Sequence, residues 1–160
     1  GKKMIADYEK PDRPEVLSSP GIYGRTLRHK HIPEMVKYTG LEHDPVFLPV
    51  VDDYYKGMAG TLTLQNRLLH GQPTAEEIWA FLRSFYEGEV FISVADFEEK
   101  TGTVYANELA GTNYLKIYVS GDAENTAVTA VFDNLGKGAS GAAVQNMNIA
   151  LGLDETEGLR

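Results

Sequence analysis

The sequence predicts an α+β domain built on a mixed or antiparallel sheet. Two observations support this class. Segments with alternating apolar and polar residues follow one another as in a meander, and helical segments are inserted between them. The regular strand–helix alternation that is typical of a doubly wound parallel sheet is missing. We therefore expect one domain over residues 1–160, a length sufficient to bury its own core.

The first third of the chain predicts little regular structure apart from one helix. Residues 1–20 predict an irregular start with one helical turn, and GIYGRTL (21–27) predicts a short strand. Pro33 and Gly40 stand where a helix begins and ends, so IPEMVKYTG is expected to be helical. The apolar segment PVFLPVV (45–51) contains a proline and predicts an edge strand.

The remaining elements are more regular. MAGTLTLQN (58–66) alternates as a strand does, and Thr74 and Glu77 form a capping-box pattern at the start of a helix. That helix carries a stripe with the spacing of a buried face, formed by Ile78, Phe81, Leu82 and Phe85. Further strands are expected in VFISVA, TNYLKIYVS and AVTAVFD, the last two joined by the hairpin GDAENT, and a helix of small residues in GKGASGAAVQNMNIALG.

Composition excludes several classes of function. The formal net charge of -8 argues against nucleic-acid binding, which requires a basic surface. No apolar run approaches the length of a membrane span, and no signal peptide is expected. The absence of cysteine excludes disulfides and thiolate chemistry within this chain, and a cytoplasmic setting is expected. A first residue that is Gly rather than Met predicts a fragment.

The histidine pair in RHKHIPEM allows three interpretations. His29 and His31 would face the same side of an extended segment, as metal ligands do, with Glu42, His43 and Asp44 as further ligands. The neighbouring cations Arg28 and Lys30 oppose a metal ion. The spacing alone favours exposed histidines, whereas the cations suit an anionic substrate and proton transfer near neutral pH.

Two other segments carry possible chemistry. In DNLGKGASGAAVQN the three glycines permit either close helix packing, which the pattern favours, or an anion site at a helix N-terminus. The segment is neither a Rossmann fingerprint, since no complete βαβ unit follows, nor a Walker A loop. Lys56 in YYKGMAG places a cation on a loop before a strand, and a solvated lysine is the simpler interpretation.

The motifs HKHIPEM, GLEHDPVF, YYKGM, GTNYL and DNLGKGASGAAVQNMNIALGL, in this order, resemble the C-terminal half of the N-acetyl-gamma-glutamyl-phosphate reductase family, most closely its short bacterial form. The last motif is shared in part with aspartate-semialdehyde dehydrogenases. The resemblance implies a glyceraldehyde-phosphate-dehydrogenase-like C-terminal domain with helices on one face of its sheet. It also implies a separate Rossmann domain that binds NADP and supplies a cysteine nucleophile, an acyl-phosphate substrate, and assembly into a homo-oligomer.

The same resemblance assigns roles to individual residues. His31 matches the acid–base histidine, and His29 matches a neighbouring substrate contact. Lys56 matches a basic residue that meets the phosphate or carboxylate of the substrate. Thr112 and Asn113 lie on the substrate side of the family motif. The segment that reaches the nicotinamide half of the cofactor is represented by Asn134, Lys137 and Gly138.

The chain departs from the family pattern because it contains neither a cysteine nor a Rossmann half. We therefore expect it to be catalytically inert alone, and its last helix to pack on the absent domain, leaving apolar surface that favours self-association. Two alternatives stay open at this point: a domain of another semialdehyde dehydrogenase, such as the aspartate type, and a dimerisation module without an enzymatic role.

Overall fold

A computed structural model describes residues 2–97 and 102–159 of the chain. Two compact units follow each other, residues 1–54 and residues 55–160, and each is described by itself. The fold class is confirmed: among the described residues, four α-helices accompany one antiparallel and one mixed sheet. The prediction of a single domain over residues 1–160 stays a prediction. No helix of the described residues has the length and apolarity needed to cross a membrane.

The first unit contains two helices and a two-stranded sheet. Its elements are α1 (Lys2–Tyr8), a 3-10 turn (Glu15–Ser18), β1 (Gly21–Ile22), α2 (Ile32–Thr39) and β2 (Val50–Val51), with β1 antiparallel to β2. The prediction of one helical turn at the start was too short, since α1 has seven residues.

The strands β1 and β2 are shorter than the sequence predicts. A turn follows β1 immediately, because Gly24 adopts a φ of 63° and its carbonyl accepts the N–H of Leu27. The helix α2 is confirmed between its predicted limits. Pro33 occupies its first turn, and Gly40 closes it with a φ of 72° and an N–H that donates to Val36 O.

The second unit contains the mixed sheet, with strand order β3-β6-β5-β4. Its elements are β3 (Met58–Gln65), a 3-10 turn (Asn66–Leu68), α3 (Ala75–Phe85), β4 (Ile92–Val94), β5 (Leu115–Gly121), β6 (Asn125–Phe132), a wide helical turn (Gly136–Ser140) and α4 (Gly141–Leu151). β6 is antiparallel to β3 and β5, whereas β4 is parallel to β5. The register pairs Met58 with Phe132, so the chain before β3 meets the chain after β6.

The predictions for this unit are confirmed for features that depend on residues close together in sequence. Ile117 and Val119 are buried along β5, as the alternation predicts. Thr74 and Glu77 form the capping box of α3, with each side chain bonded to the other's backbone N–H. In the hairpin after β5, Asp122 Oδ1 accepts the N–H groups of Glu124 and Asn125.

The predicted buried stripe of α3 is wrong in part. Phe81 and Phe85 are 66 % and 65 % exposed and stack on each other with ring centroids 6.0 Å apart. α3 instead turns another side to β4, β5 and β6, on which Ala75 is fully buried and Trp79 Nε1 donates to Ala95 O at 2.8 Å. Ala75, Ile78, Trp79 and Leu82 have the same helical spacing as the predicted stripe, so periodicity did not distinguish the two sides.

Candidate functional site

The histidine pair lies at the N-terminus of α2 in the first unit. His31 is the residue that precedes the helix, and its backbone N–H donates to Nδ1 of His29 at 3.3 Å. Its own Nδ1 lies 2.7 Å from Oε2 of Glu34, one helical turn further along the chain. The two imidazole rings are 5.0 Å apart. The histidines therefore form a joined pair rather than two independent surface groups.

These hydrogen bonds fix which ring nitrogens carry protons. A carboxylate only accepts hydrogen bonds, so Nδ1 of His31 is the donor to Glu34 and Nε2 of a neutral His31 is the basic nitrogen. Nδ1 of His29 is an acceptor, so a neutral His29 carries its proton on Nε2. The pair thus combines one imidazole that can take up a proton with one that can donate a hydrogen bond.

The two histidines also differ in their surroundings. His29 is partly buried, with the rings of Phe47 and Tyr23 at 5.1 and 6.3 Å. The His31 side chain is 47 % exposed, as a group that exchanges protons with a ligand must be. His29 is therefore packed against aromatic rings, whereas a hydrogen bond to Glu34 orients His31.

The metal interpretation gains no support from the described residues. Glu42, His43 and Asp44 are exposed, and within residues 2–97 and 102–159 no three or more His, Asp or Glu side chains are placed to hold a metal ion. Arg28 and Lys30 are exposed on the same segment as the two histidines.

The second unit contains a cavity of about 360 Å³ beside the ends of β3 and β6. Three of the residues proposed from the resemblance lie in its wall, namely Lys56, Thr112 and Asn113. Tyr55, Asp133 and Ser140 line it as well. The sheet register explains this meeting, because Lys56 precedes β3, Thr112 precedes β5, and both strands flank β6.

Asp133 is the central charged group of this cavity. It is 1 % exposed, and its carboxylate accepts the backbone N–H groups of Gly111 at 2.6 Å, Leu135 at 2.8 Å and Gly136 at 2.9 Å. The ammonium of Lys56 lies 3.4 Å from Oδ2. One carboxylate thus connects the loop before β5, the turn after β6 and the lysine before β3.

The ionised state of Asp133 follows from these contacts. Burial by itself raises the pKa of the carboxyl group, but the three N–H donors and Lys56 together outweigh it and lower the pKa to about 2. Asp133 is therefore a permanent anion at neutral pH, and Lys56 lies beside a fixed negative charge.

Lys56 lies in the wall of the cavity, and its ammonium has N–H donors beyond the one that faces Asp133. Its side chain is 38 % exposed, and a lysine ammonium has three N–H donors. Thr112 uses its hydroxyl within its own loop, donating to Leu109 O at 2.8 Å. Among the side chains proposed for this cavity, Lys56 is thus the one whose charge and exposure suit contact with an anionic ligand.

Asn113 contributes to the wall of the cavity by packing. It is 3 % exposed, and its Nδ2 donates to Gln145 of α4 at 3.2 Å, while Oδ1 has no hydrogen-bond partner among the described residues. A Cβ added at Gly141 would lie 2.1 Å from this oxygen. The glycine therefore permits α4 to approach the loop before β5, which supports the close-packing interpretation of the glycine-rich segment.

Four backbone N–H groups of the wide turn before α4 are engaged within the chain and are not free to bind an anion. The N–H groups of Gly138, Ser140 and Gly141 donate to carbonyls five residues earlier, as in a π-helical turn. The Gly136 N–H donates to Asp133. The anion-binding interpretation of this helix N-terminus thus lacks its chemical requirement at these four positions.

The three residues that the resemblance predicts to reach the cofactor, Asn134, Lys137 and Gly138, all have contacts inside the second unit. Asn134 Oδ1 accepts the Gly57 N–H at 2.8 Å. Lys137 Nζ donates to Gln145 at 2.6 Å and lies 5.6 Å from the ring centroid of Phe91, and burial lowers its pKa. Gly138 packs on a ring, since an added Cβ would lie 3.0 Å from Phe132. These contacts fix the shape of the turn.

Sequence reasoning missed Asp133, which lines the cavity, and Gln145 and Asn148, which bond to segments that line it. Asp133 could have been recognised because an aspartate directly before a turn often accepts N–H groups of the following residues. Gln145 and Asn148 gave no such signal. Asn148, 1 % exposed, donates to the carbonyls of Glu155 and Glu157 and so holds the C-terminal segment, whose residue Leu159 reaches the cavity.

Comparison with known proteins gives the context of these features. Residues 1–134 match the family described as semialdehyde dehydrogenase, dimerisation domain. The N-acetyl-gamma-glutamyl-phosphate reductase 2 of Nostoc sp. is 42% identical over 99% of this chain and 53% of its own length. The N-acetyl-gamma-glutamyl-phosphate reductase of Brucella anthropi is 42% identical over 95% of this chain and 50% of its own length.

The chain spans about half the length of the curated relatives it matches. Its match to the family includes the histidine pair, Lys56 and Asp133. A match over residues 1–134 of 160, together with the observed α+β fold, means that the chain belongs to the semialdehyde dehydrogenase dimerisation-domain family.

Proposed function

We propose that this chain is the C-terminal half of an NADP-dependent reductase that converts N-acetyl-gamma-glutamyl phosphate to the corresponding semialdehyde in arginine biosynthesis. The 42% identity to reductases of that name is the observation that carries this proposal. The other half would supply a cysteine thiolate that displaces phosphate from the acyl phosphate. NADP, bound mainly by that half, would supply the hydride in its reduced form.

His31 is the proton-transfer residue in this proposal. Reduction of the thioester places negative charge on the former carbonyl oxygen, which then requires a proton. In its protonated form His31 can supply that proton from Nε2, since Glu34 occupies Nδ1 and orients the ring. The proton would first be taken up at Nε2 from the cysteine thiol of the other half as its thiolate forms. His29 has its Nδ1 engaged and its ring packed on Phe47, so it suits a hydrogen bond to the substrate.

Lys56 and its cavity provide the anion contact. An acyl phosphate of an acylated amino acid carries phosphate and carboxylate groups, and an exposed ammonium held beside a fixed carboxylate can bind either. Thr112 and Asn113 shape the loop beside this ammonium rather than presenting free polar groups. Their proposed place on the substrate side of the site is therefore as parts of this loop.

The turn that carries Asn134, Lys137 and Gly138 is proposed to face the nicotinamide half of NADP. Lys137 is already bonded to Gln145 and buried against Phe91, which does not fit a direct contact with the cofactor. Its proposed role is therefore to hold the turn, and the oxygen of Asn134 holds it on the Gly57 side.

The partners of the chain follow from the same proposal. They are its own Rossmann half and further copies of the protein in a cytoplasmic homo-oligomer. Without that half the chain has no cysteine, so we expect it to be inactive alone. On α4, Met147, Ile149 and Leu151 are exposed, which is consistent with a helix that packs on the other half in the complete protein.

The function can be tested on the full-length protein. We expect NADPH-dependent reduction of N-acetyl-gamma-glutamyl phosphate, and little reduction of aspartyl phosphate under the same conditions. His31→Asn should lower kcat about 10²- to 10⁴-fold, as for loss of a general acid or base. His29→Asn is the matched control and should mainly raise KM. Preferential turnover of aspartyl phosphate would instead favour the aspartate-semialdehyde type.

A second candidate function is a dimerisation module, which the description of the matched family favours. In that case the full-length protein would form a stable dimer and His31→Asn would leave all its measured activity unchanged. Light scattering of the full-length protein, combined with the NADPH assay, distinguishes this module from a reductase that also dimerises.

A further inference from the structure

Asp133 has no role in the function proposed above, although it lies in the same cavity. Its carboxylate is nearly inaccessible and bonded to three backbone N–H groups, so it does not itself suit contact with a ligand. The Lys56 ammonium, 3.4 Å away, is the charged side-chain partner of Asp133; its side chain is 38 % exposed and lines the cavity, whereas the other partners are backbone N–H groups. Asp133 is thus placed to act on a ligand only through Lys56.

The surrounding contacts fix the position of Asp133 from several directions. Gly111 belongs to the loop before β5, while Leu135 and Gly136 belong to the turn after β6. Asn134, the next residue, binds the N–H of Gly57, directly after Lys56. The backbone of Lys56 and its ammonium are therefore held by two successive residues, Asn134 and Asp133.

The charge balance supports a positioning role. An ammonium paired with an exposed carboxylate changes partners easily, because both side chains are mobile and solvated. A carboxylate with three backbone donors has one fixed orientation, and the lysine retains N–H groups that it does not use. The fixed anion also balances the positive charge of Lys56.

We propose that Asp133 is a positioning residue that fixes the ammonium of Lys56 for binding the phosphate or carboxylate group of an anionic substrate. This inference rests on the proposed function, because it takes Lys56 as the anion contact. The ligand chemistry is that of a small oxyanion, and inorganic phosphate is a suitable probe.

A double-mutant cycle in the full-length protein tests the inference. The variants are Lys56→Ala, Asp133→Asn and the double variant, and the measurements are KM for the acyl phosphate and Kd for inorganic phosphate by calorimetry. Each single variant should raise both the KM for the acyl phosphate and the Kd for inorganic phosphate about tenfold to a hundredfold, as loss of a charge-assisted hydrogen bond does. In the Lys56→Ala background, Asp133→Asn should change neither further, because its effect acts through the lysine.

Two results would overturn the inference in different ways. If Asp133→Asn weakens binding by the same factor with and without Lys56, Asp133 supports the fold and does not position the lysine. If Lys56→Ala leaves KM and phosphate Kd unchanged, the anion contact in the proposed function fails, and the role of Asp133 fails with it. If the unmodified protein has no reductase activity but the double-mutant cycle for phosphate Kd gives the expected result, the proposed reductase function is rejected and the positioning role of Asp133 stands.

A second experiment avoids replacing Asp133, whose variant could fail to fold. In Lys56→Ala the carboxylate stays in place, so added ethylammonium should bind beside it and restore at least a part of the lost phosphate affinity. Tetramethylammonium has the same charge but no N–H donor and should not restore it. No recovery with ethylammonium, or equal recovery with both ions, would contradict the positioning role.

Discussion

Asn134 Oδ1 accepts a hydrogen bond from the backbone N–H of Gly57 at 2.8 Å, although 77 residues separate the two. Asn134 follows β6 and Gly57 precedes β3, and these strands are paired from Met58 and Phe132 onward. The bond therefore extends the β3–β6 pairing to the segment that carries Lys56. Gly57, which Asn134 holds in place, is thus the direct sequence neighbour of Lys56, the proposed ligand contact.

Asn134→Ala should lower the free energy of unfolding by about 1–2 kcal/mol, because the partly buried Gly57 N–H loses its acceptor. Chemical denaturation of the full-length protein measures this change. Asn146→Ala is the matched control, since Asn146 is exposed on α4, where alanine favours the helix. Equal losses in both variants would show that the Gly57 contact contributes nothing specific.

Gly141→Ala should destabilise the second unit by about 2–4 kcal/mol, the range for an overpacked or strained core position. The added Cβ would lie 2.1 Å from Asn113 Oδ1 and 2.9 Å from the backbone of Gly136, which cannot move freely. Thermal unfolding checks this. At Gly60 an added Cβ meets no atom within 4 Å, so Gly60→Ala should be nearly neutral, and a Gly141→Ala variant as stable as Gly60→Ala would refute the packing argument.

Asp133 should make stability depend on pH in the acid range. Its pKa is about 2 in the folded chain and the ordinary value is 3.8, so its contribution is fully present above about pH 4 and is lost as pH falls toward 2. The shift corresponds to about 2–3 kcal/mol. Unfolding free energies of the unmodified protein and Asp133→Asn, measured between pH 6 and about pH 3, should converge as the pH falls. Parallel curves would contradict this.

Glu34→Gln should lower kcat of the full-length reductase about tenfold with little change in KM, because a neutral amide, a weaker acceptor than the carboxylate, then orients the ring of His31. Steady-state kinetics of NADPH oxidation measure the effect. Glu42→Gln removes an exposed carboxylate of the same unit and is the control. A kcat for Glu34→Gln equal to that of Glu42→Gln would mean that Glu34 does not orient the histidine.

The local features of this chain could be predicted because residues a few positions apart decide them. The capping box of Thr74 and Glu77, the left-handed Gly40 after α2 and the burial of Ile117 and Val119 all depend on spacing within one element. The resemblance to the reductase family likewise depends on ordered motifs, and it identified His31 and Lys56 as candidates.

Long-range packing decided what the sequence left open. Only the contact of α3 with the sheet determines that Ala75 is buried and Trp79 partly buried while Phe81 and Phe85 are exposed, because the apolar face of α3 is wider than the part that the sheet can cover. Only the β3–β6 and β5–β6 registers bring Lys56, Thr112 and Asp133 to one cavity. Hydrogen bonds between residues far apart in sequence depend on that register, and no local pattern encodes it.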